Sequence, residues 1–329
     1  MIKAVSTPNI ALIKYWGNRS NELRIPAADS LSMTLDQPSV EVSVDHAEQF
    51  SVRSFEEDNT ERQLTKSELS RIEQHLALTK RFFTRLELHD AIPASIKLEI
   101  HSRIPPSIGL ASSAAIFSAL AEAYAGLAAD KRPLSRKEIS MIARIGSGSA
   151  SRSVYGGFVA LTIRNDEAYA EQIADENHWQ LHDVIIIPSR TPKEVGSTEG
   201  HALAYTSPLF QKRLDAIPRR QQECIDAILT KNFEKLQNVA EEDALDMHNV
   251  MQTSVPALTY LNDETYRILD EVDELRSSEH LEILYTMDAG PTVHLICTEE
   301  ALPKIRAYAA QQKSCQMFEA GLGKGSHLA

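Results

Sequence analysis

Residues 4–15 are mostly apolar and β-branched around Pro8, a pattern that predicts a strand, a bend and a second short strand carrying Lys14. Over residues 24–36, Ser30, Ser32 and Thr34 alternate with apolar neighbours, as in a strand with one polar face. Residues 40–44 and 50–55 both show period two and predict antiparallel hairpins. Residues 67–83 have helical periodicity, with Ser67 as the expected cap. Alternation returns at 96–101 and leads into a loop rich in proline, followed by helix-tolerant residues from about 110 to Gly126. A further helix is expected over 135–145, capped by Ser135. Strands follow at 159–163 and 183–187, the latter apolar enough to be covered on both faces. Helical blocks come next at 214–229, 233–251 and 256–277. Two apolar runs then flank a turn formed by Asp288, Ala289, Gly290 and Pro291. Gly321, Gly323 and Gly325 predict an ordered edge that gives way to a frayed tail.

Composition narrows the class. The 329 residues, 43% hydrophobic and 24% charged, fit a globular protein of two domains sharing a sizeable core. A net charge of −12 provides no general attraction for nucleic acid or an anionic membrane, so anionic ligands must be held by local cations and backbone dipoles. Cys224, Cys297 and Cys315 have neither metal-site nor redox-pair spacing and read as buried thiols. The first residues lack a leader pattern, and no apolar run reaches membrane-spanning length, so a cytoplasmic location is expected.

Four places carry candidate chemistry. In residues 105–127, PPSIGLASSAAIFSALAEAYAGL, a loop feeds a helix whose first turn bears only small side chains. Free backbone N–H groups there favour an anion, and the hydroxyls of Ser112 and Ser113 add donors or a magnesium contact. A tightly packed core helix is the bland alternative, and neither the Walker spacing nor the three-glycine dinucleotide spacing is present. Lys14, read alone, either snorkels to water or offers its amine to a site. The segment 146–158, GSGSASRSVYGGF, suits neither regular helix nor strand and exposes amides and hydroxyls around Arg152, a permanently charged donor for carboxylate or phosphate. Asp243, Asp246 and His248 have helical spacing and read as a solvated face rather than a metal site.

Five strings taken together are similar to a known family: NIALIKYWG, GLASSA, GSGSASRSVYGGF, the run 191–210 beginning TPKEVGSTEG, and MDAGP. They resemble the mevalonate diphosphate decarboxylases of the GHMP kinase superfamily. The resemblance implies an α+β chain of two domains, residues 1–188 of the ribosomal protein S5 domain 2-like type and residues 189–329 a ferredoxin-like α/β domain, with the site in the cleft between them. It implies ATP and Mg²⁺ as cofactors, Pro106, Gly109, Leu110, Ala111, Ser112, Ser113 and Ala114 as the nucleotide loop, and Ser112 as the magnesium contact. It also implies Asp288, Lys14 and Arg152 as catalytic residues, with Tyr15, Ser147, Ser149, Arg152 and Ser197 on the substrate. The implied partner is mevalonate 5-diphosphate, which is phosphorylated on its tertiary hydroxyl and then loses phosphate and carbon dioxide to give isopentenyl diphosphate; a homodimer is expected. The chain departs from the family pattern where a lysine usually follows Trp-Gly, here Asn18, and where an arginine often follows the serine of the later segment, here Thr198. The asparagine common near Ala27 or Ala28 is also absent. These departures keep mevalonate 5-phosphate open as a substrate, with Arg19 or Lys193 as compensating cations. A GHMP-fold protein that binds its ligand without turnover is the remaining alternative.

Overall fold

A computed structural model describes residues 1–104, 110, 112–164, 167–188, 196–313 and 315–329. The architecture mixes helices and sheets. In the largest sheet the order is His327–Leu328, Ile2–Ser6, Val40–His46, Ile96–Ser102, Ser51–Phe55 and Glu61–Arg62. A second sheet runs Glu167–Ala174, Phe158–Arg164, Ser30–Thr34, Asn9–Ile13. The third runs Ile283–Thr286, Val293–Thr298, Leu181–Ile187, Gln316–Gly321. One core joins the first two sheets to the helices Lys66–Arg85, Ser112–Ala128 and Arg136–Gly146, and a second lies against the third sheet beneath Asp263–Glu279 and Leu302–Ala310.

Several elements differ from expectation for identifiable reasons. The strands Val40–His46 and Ser51–Phe55 do not form a hairpin; they flank Ile96–Ser102, the first antiparallel to it and the second parallel. The helix Lys66–Arg85 is the crossover that a parallel pair requires. That helix is capped by Thr65 rather than Ser67, because Glu68 three residues on reaches back to the Thr65 backbone and completes a capping box. Ser135 caps Arg136–Gly146 in the same manner, as expected. Ser30–Thr34 is buried on both faces, and two of its three polar side chains bond inward: Ser30 Oγ accepts from Arg152, and Thr34 Oγ1 donates to the Tyr155 carbonyl at 2.8 Å, while Ser32 Oγ is buried without a partner. The glycine-serine segment forms a 3-10 helix, Gly148–Val154, whose small residues tolerate the tighter winding.

Gly126 does not end its helix, which continues to Ala128. A Cβ on Gly126 would lie 2.8 Å from Ile2 and 3.0 Å from Leu328, so the missing side chain is the space those two residues occupy. The third late helix starts at Asp263, capped by Asn262, because residues 256–262 are not helical. The chain end is not frayed: Gly323 N donates to Thr34 O at 2.8 Å, Ala329 N donates to Lys3 O at 3.0 Å, and His327–Leu328 pairs with Ile2–Ser6. Cys224 and Cys297 are buried, whereas Cys315 is partly exposed. No described helix is long and apolar enough to cross a membrane.

Leu181–Ile187 pairs with strands of the C-terminal half, while the final strand returns to the N-terminal sheet. Chain segments therefore cross between the halves in both directions. The helix Phe233–Gln252 packs on Ile283–Thr286 from one half and on Asn9–Ile13 from the other. This bridging helix brings the end of an N-terminal strand to a C-terminal turn.

Candidate active site

The bridging helix acts through charge. Asp243, expected on a solvated face, is completely buried and accepts from Arg213 Nη2 at 2.9 Å and Arg220 Nη1 at 3.2 Å, while Asp246 accepts from Arg220 Nη1 at 2.6 Å. Asp243 Oδ2 also accepts the backbone N–H of Lys14 at 2.6 Å, so a buried ionic cluster fixes the residue that follows Asn9–Ile13. Among the described residues, no group of three or more His, Cys, Asp or Glu side chains is arranged to hold a metal ion. His248, one turn further along the same helix, is buried beside the backbone of Met287 and Asp288, with its Nε2 left without a hydrogen-bond partner.

These constraints set the central contact: Lys14 Nζ donates to Asp288 Oδ1 at 2.8 Å. The Lys14 side chain is 1% exposed and that of Asp288 33%, so the amine lies behind the carboxylate and the carboxylate faces the cleft. Burial works against an ionised Asp288 but is outweighed by the charge and hydrogen bond of Lys14, with His294 and Arg152 adding, so its pKa lies below the usual carboxylate value. Burial likewise lowers the Lys14 pKa, against the pull of Asp288.

Arg152, on the 3-10 helix, is 2% exposed and has only neutral partners: Nη1 donates to Ser30 Oγ at 2.6 Å and Nη2 to Asn9 Oδ1 at 3.3 Å. Its Nε is buried without a partner. Burial lowers its pKa to about 10, opposed by the charges of Asp288 and Tyr15. A buried guanidinium with an unfilled donor is a site for an incoming carboxylate or phosphate. Beside it, Ser147 Oγ lies 3.2 Å from both Ser113 Oγ and Ser149 Oγ, a chain of hydroxyls from the first turn of Ser112–Ala128 to the 3-10 helix. Asn9 Nδ2 holds the Ser149 carbonyl at 3.0 Å.

One cavity therefore collects Asp288, Lys14 and Arg152 with Tyr15, Ser113, Ser147 and Ser149. Leu110 and Ala114 are buried, and Ser112 is exposed at the first helical position. Pro106, Gly109 and Ala111 lie outside the described residues. Ser197 opens the helix Ser197–Leu203, but its side chain is outside the description, as is Lys193. Arg19 is exposed rather than cleft-facing. Asn18 is buried, accepts from the Tyr15 hydroxyl through Oδ1 and donates to Asn21 Oδ1 at 3.1 Å.

The cavity also contains residues that the sequence reading missed: Asn9, Arg24, Arg71 and His201. Arg71 read as one of the charged gaps of an amphipathic helix, yet its guanidinium donates twice to the Gly146 carbonyl, at 2.9 and 3.0 Å, and lies over the Phe117 ring. Burial, with Arg24 nearby, lowers its pKa to about 9. Asn9 belonged to a quoted string, and Arg24 opened a quoted run; position in those strings was the available signal.

The family model described as the diphosphomevalonate decarboxylase-like N-terminal domain matches residues 6–171, and that of the mevalonate 5-diphosphate decarboxylase C-terminal domain matches residues 183–320. The chain is 34% identical over 317 residues to the diphosphomevalonate decarboxylase of Debaryomyces hansenii, covering 92% of this chain and 80% of the relative. It is 30% identical to that of Homo sapiens, covering 91% of this chain and 77% of the relative. Among solved structures, it resembles mevalonate diphosphate decarboxylase from Staphylococcus aureus at a TM-score of 0.87 and 32% identity, covering 100% of this chain and 98% of that one. A structure described as MDDEF in complex with MVAPP, AMPPCP and magnesium superposes with a TM-score of 0.86 at 29% identity, with the same coverage.

Proposed function

The chain belongs to the diphosphomevalonate decarboxylase family, and we propose that it catalyses the ATP-dependent decarboxylation of mevalonate 5-diphosphate to isopentenyl diphosphate. The observation that carries this reading is the Lys14–Asp288 ion pair, which shares one cleft with the buried, anion-seeking Arg152.

Asp288 Oδ1 is occupied by Lys14, which leaves Oδ2 to accept the hydrogen bond of the substrate's tertiary hydroxyl. The nearby ammonium keeps the carboxyl ionised, and as the hydroxyl oxygen attacks phosphorus its proton passes to Oδ2. Arg152 holds the substrate carboxylate, oriented by Ser30 and Asn9 so that the C–C bond to be broken is fixed relative to Asp288. Ser147 and Ser149 offer hydroxyls to the substrate's phosphates, and Tyr15 lines the same wall with its hydroxyl donated to Asn18 Oδ1. Ser197 is placed with them on the family resemblance.

The start of Ser112–Ala128 fits a magnesium nucleotide, because the exposed Ser112 and half-buried Ser113 supply hydroxyls at a helix N-terminus of this length. Ser112 would contact the metal, and Gly109 to Ala114 would hold the nucleotide phosphates. A bound magnesium nucleotide supplies the phosphoryl group that turns the tertiary hydroxyl into a leaving group.

The test is release of carbon dioxide and phosphate from mevalonate 5-diphosphate and mevalonate 5-phosphate, each with ATP and magnesium. Stoichiometric release of both products from the diphosphate is expected. ATP hydrolysis without carbon dioxide, or turnover of the monophosphate alone, would overturn the proposal.

A further inference from the structure

The end of the cavity away from Asp288 contains more positive charge than the protein neutralises. Arg24 and Arg71 both line it, and neither makes an ion pair with any described residue. Arg71 is held by a carbonyl and an aromatic face, whereas Arg24 makes no hydrogen bond to a described residue. Burial first and the charge of Arg24 second lower the Arg71 pKa, and an anion bound beside both guanidiniums would relieve that repulsion.

His201 completes this end. Its ring lies between Tyr15 and Trp16, with centroids 4.4 and 4.7 Å away. Gly17 N–H donates to Nδ1 at 2.9 Å, so the neutral ring carries its proton on Nε2. Nε2 makes no hydrogen bond to another described residue. Burial, with Arg24 and Arg71 adding, lowers the pKa to about 3, so His201 is a neutral donor at physiological pH.

Asn18, where the family pattern places a lysine, is committed to Tyr15 and Asn21. We propose that Arg24 and His201 form the subsite that selects a terminal diphosphate over a monophosphate, with Arg24 replacing the charge Asn18 lacks and His201 donating through Nε2. This rests on the substrate reading above. Arg24 has a left-handed backbone, φ 48°, in a turn joining two short strands, and its side chain lines the cavity together with Tyr15. Reaching in from a different element, it does not need the position that Asn18 occupies.

Binding and turnover are measured separately so that the two readings fail separately. Calorimetric titration of the full-length protein with mevalonate 5-diphosphate and mevalonate 5-phosphate is compared for wild type, Arg24→Met, His201→Leu and His201→Gln. Arg24→Met is expected to weaken diphosphate binding about tenfold or more and monophosphate binding less than about threefold. His201→Leu should follow the same pattern more weakly, and His201→Gln, which keeps a donor, should recover part of the loss. Equal loss for both ligands, or no loss for either, overturns the subsite. If Arg24→Met does not fold, Arg24→Lys takes its place: a weakened preference for the diphosphate supports the proposal and an unchanged preference overturns it. A wild type whose diphosphate affinity depends on Arg24 but which releases no carbon dioxide would support the subsite while overturning the reaction assigned above.

Discussion

Asp288 and Lys14 are 274 residues apart in sequence and 2.8 Å apart in the fold, and each sets the protonation of the other. Asp288→Asn keeps the shape but removes the proton acceptor. Turnover is expected to fall by about 10²–10⁴-fold, the usual contribution of a positioned base, while nucleotide titration still shows binding. Lys14→Met tests the electrostatics. With the ammonium gone, the burial that opposes ionisation is countered only by the lesser effects of His294 and Arg152, and the Asp288 pKa rises. Because the reaction needs the carboxylate, the acidic limb of the pH–rate profile should move to higher pH; an unmoved limb would show that Lys14 does not set the charge state. Asp288, Lys14 and Arg152 were legible because each sits inside a distinctive string. Arg71 carried no such signal, and Arg24 and His201 lay in the runs 24–36 and 191–210 with nothing there to single them out: a surface arginine and a cavity arginine look alike until the backbone turns one of them inward.

At the scale of elements, the Gly148–Val154 turn and the Thr65 cap separate function from stability. A Cβ on Gly148 would lie 2.3 Å from the Tyr15 ring, so Gly148→Ala must displace Tyr15 or the 3-10 helix. Substrate affinity should fall while the protein still folds, as measured by the Michaelis constant and circular dichroism together. Thr65→Ala removes one half of a capping box whose residues do not line the cavity and should cost about 1 kcal/mol of stability by urea unfolding, leaving turnover unchanged. Long helices with clear periodicity were readable in the sequence, and so was the Asp288 turn between two apolar runs. The pairing of Ser51–Phe55 was not, because a parallel partner is chosen by the crossover helix and leaves no mark within the strand. Nor was the 3-10 helix, since glycine and serine in alternation read as an irregular cradle of amides and hydroxyls around Arg152 and carry no helical period.

For the molecule as a whole, acid sensitivity follows from three histidines held neutral inside it. Burial lowers the pKa of His75 to about 4, of His248 to about 4 and of His201 to about 3, all from an ordinary value of 6.5. The unfolded chain therefore takes up protons first as pH falls. The stability in question is fully present above pH 6.5 and drains away as pH drops towards the folded values, each histidine contributing up to about 1.4 kcal/mol per pH unit. Urea unfolding at pH 7 and pH 5 should show a clear loss at the lower pH, and His75→Phe should lessen it. The closure of the two halves was not legible in the sequence either. The expected loose tail is instead a strand of the first sheet, and the acids at 243 and 246 face inward because arginines from the neighbouring helix Phe210–Thr230 reach them.

Trp16 lies in the cavity wall against His201, whereas Trp179, the other tryptophan of the chain, stands edge-on to Phe233 in the core. Trp179→Phe would leave a single indole touching the bound ligand's surroundings. Its emission would give the enzyme a built-in optical readout, changing in colour or intensity as the cleft fills and allowing occupancy to be followed in real time without a label.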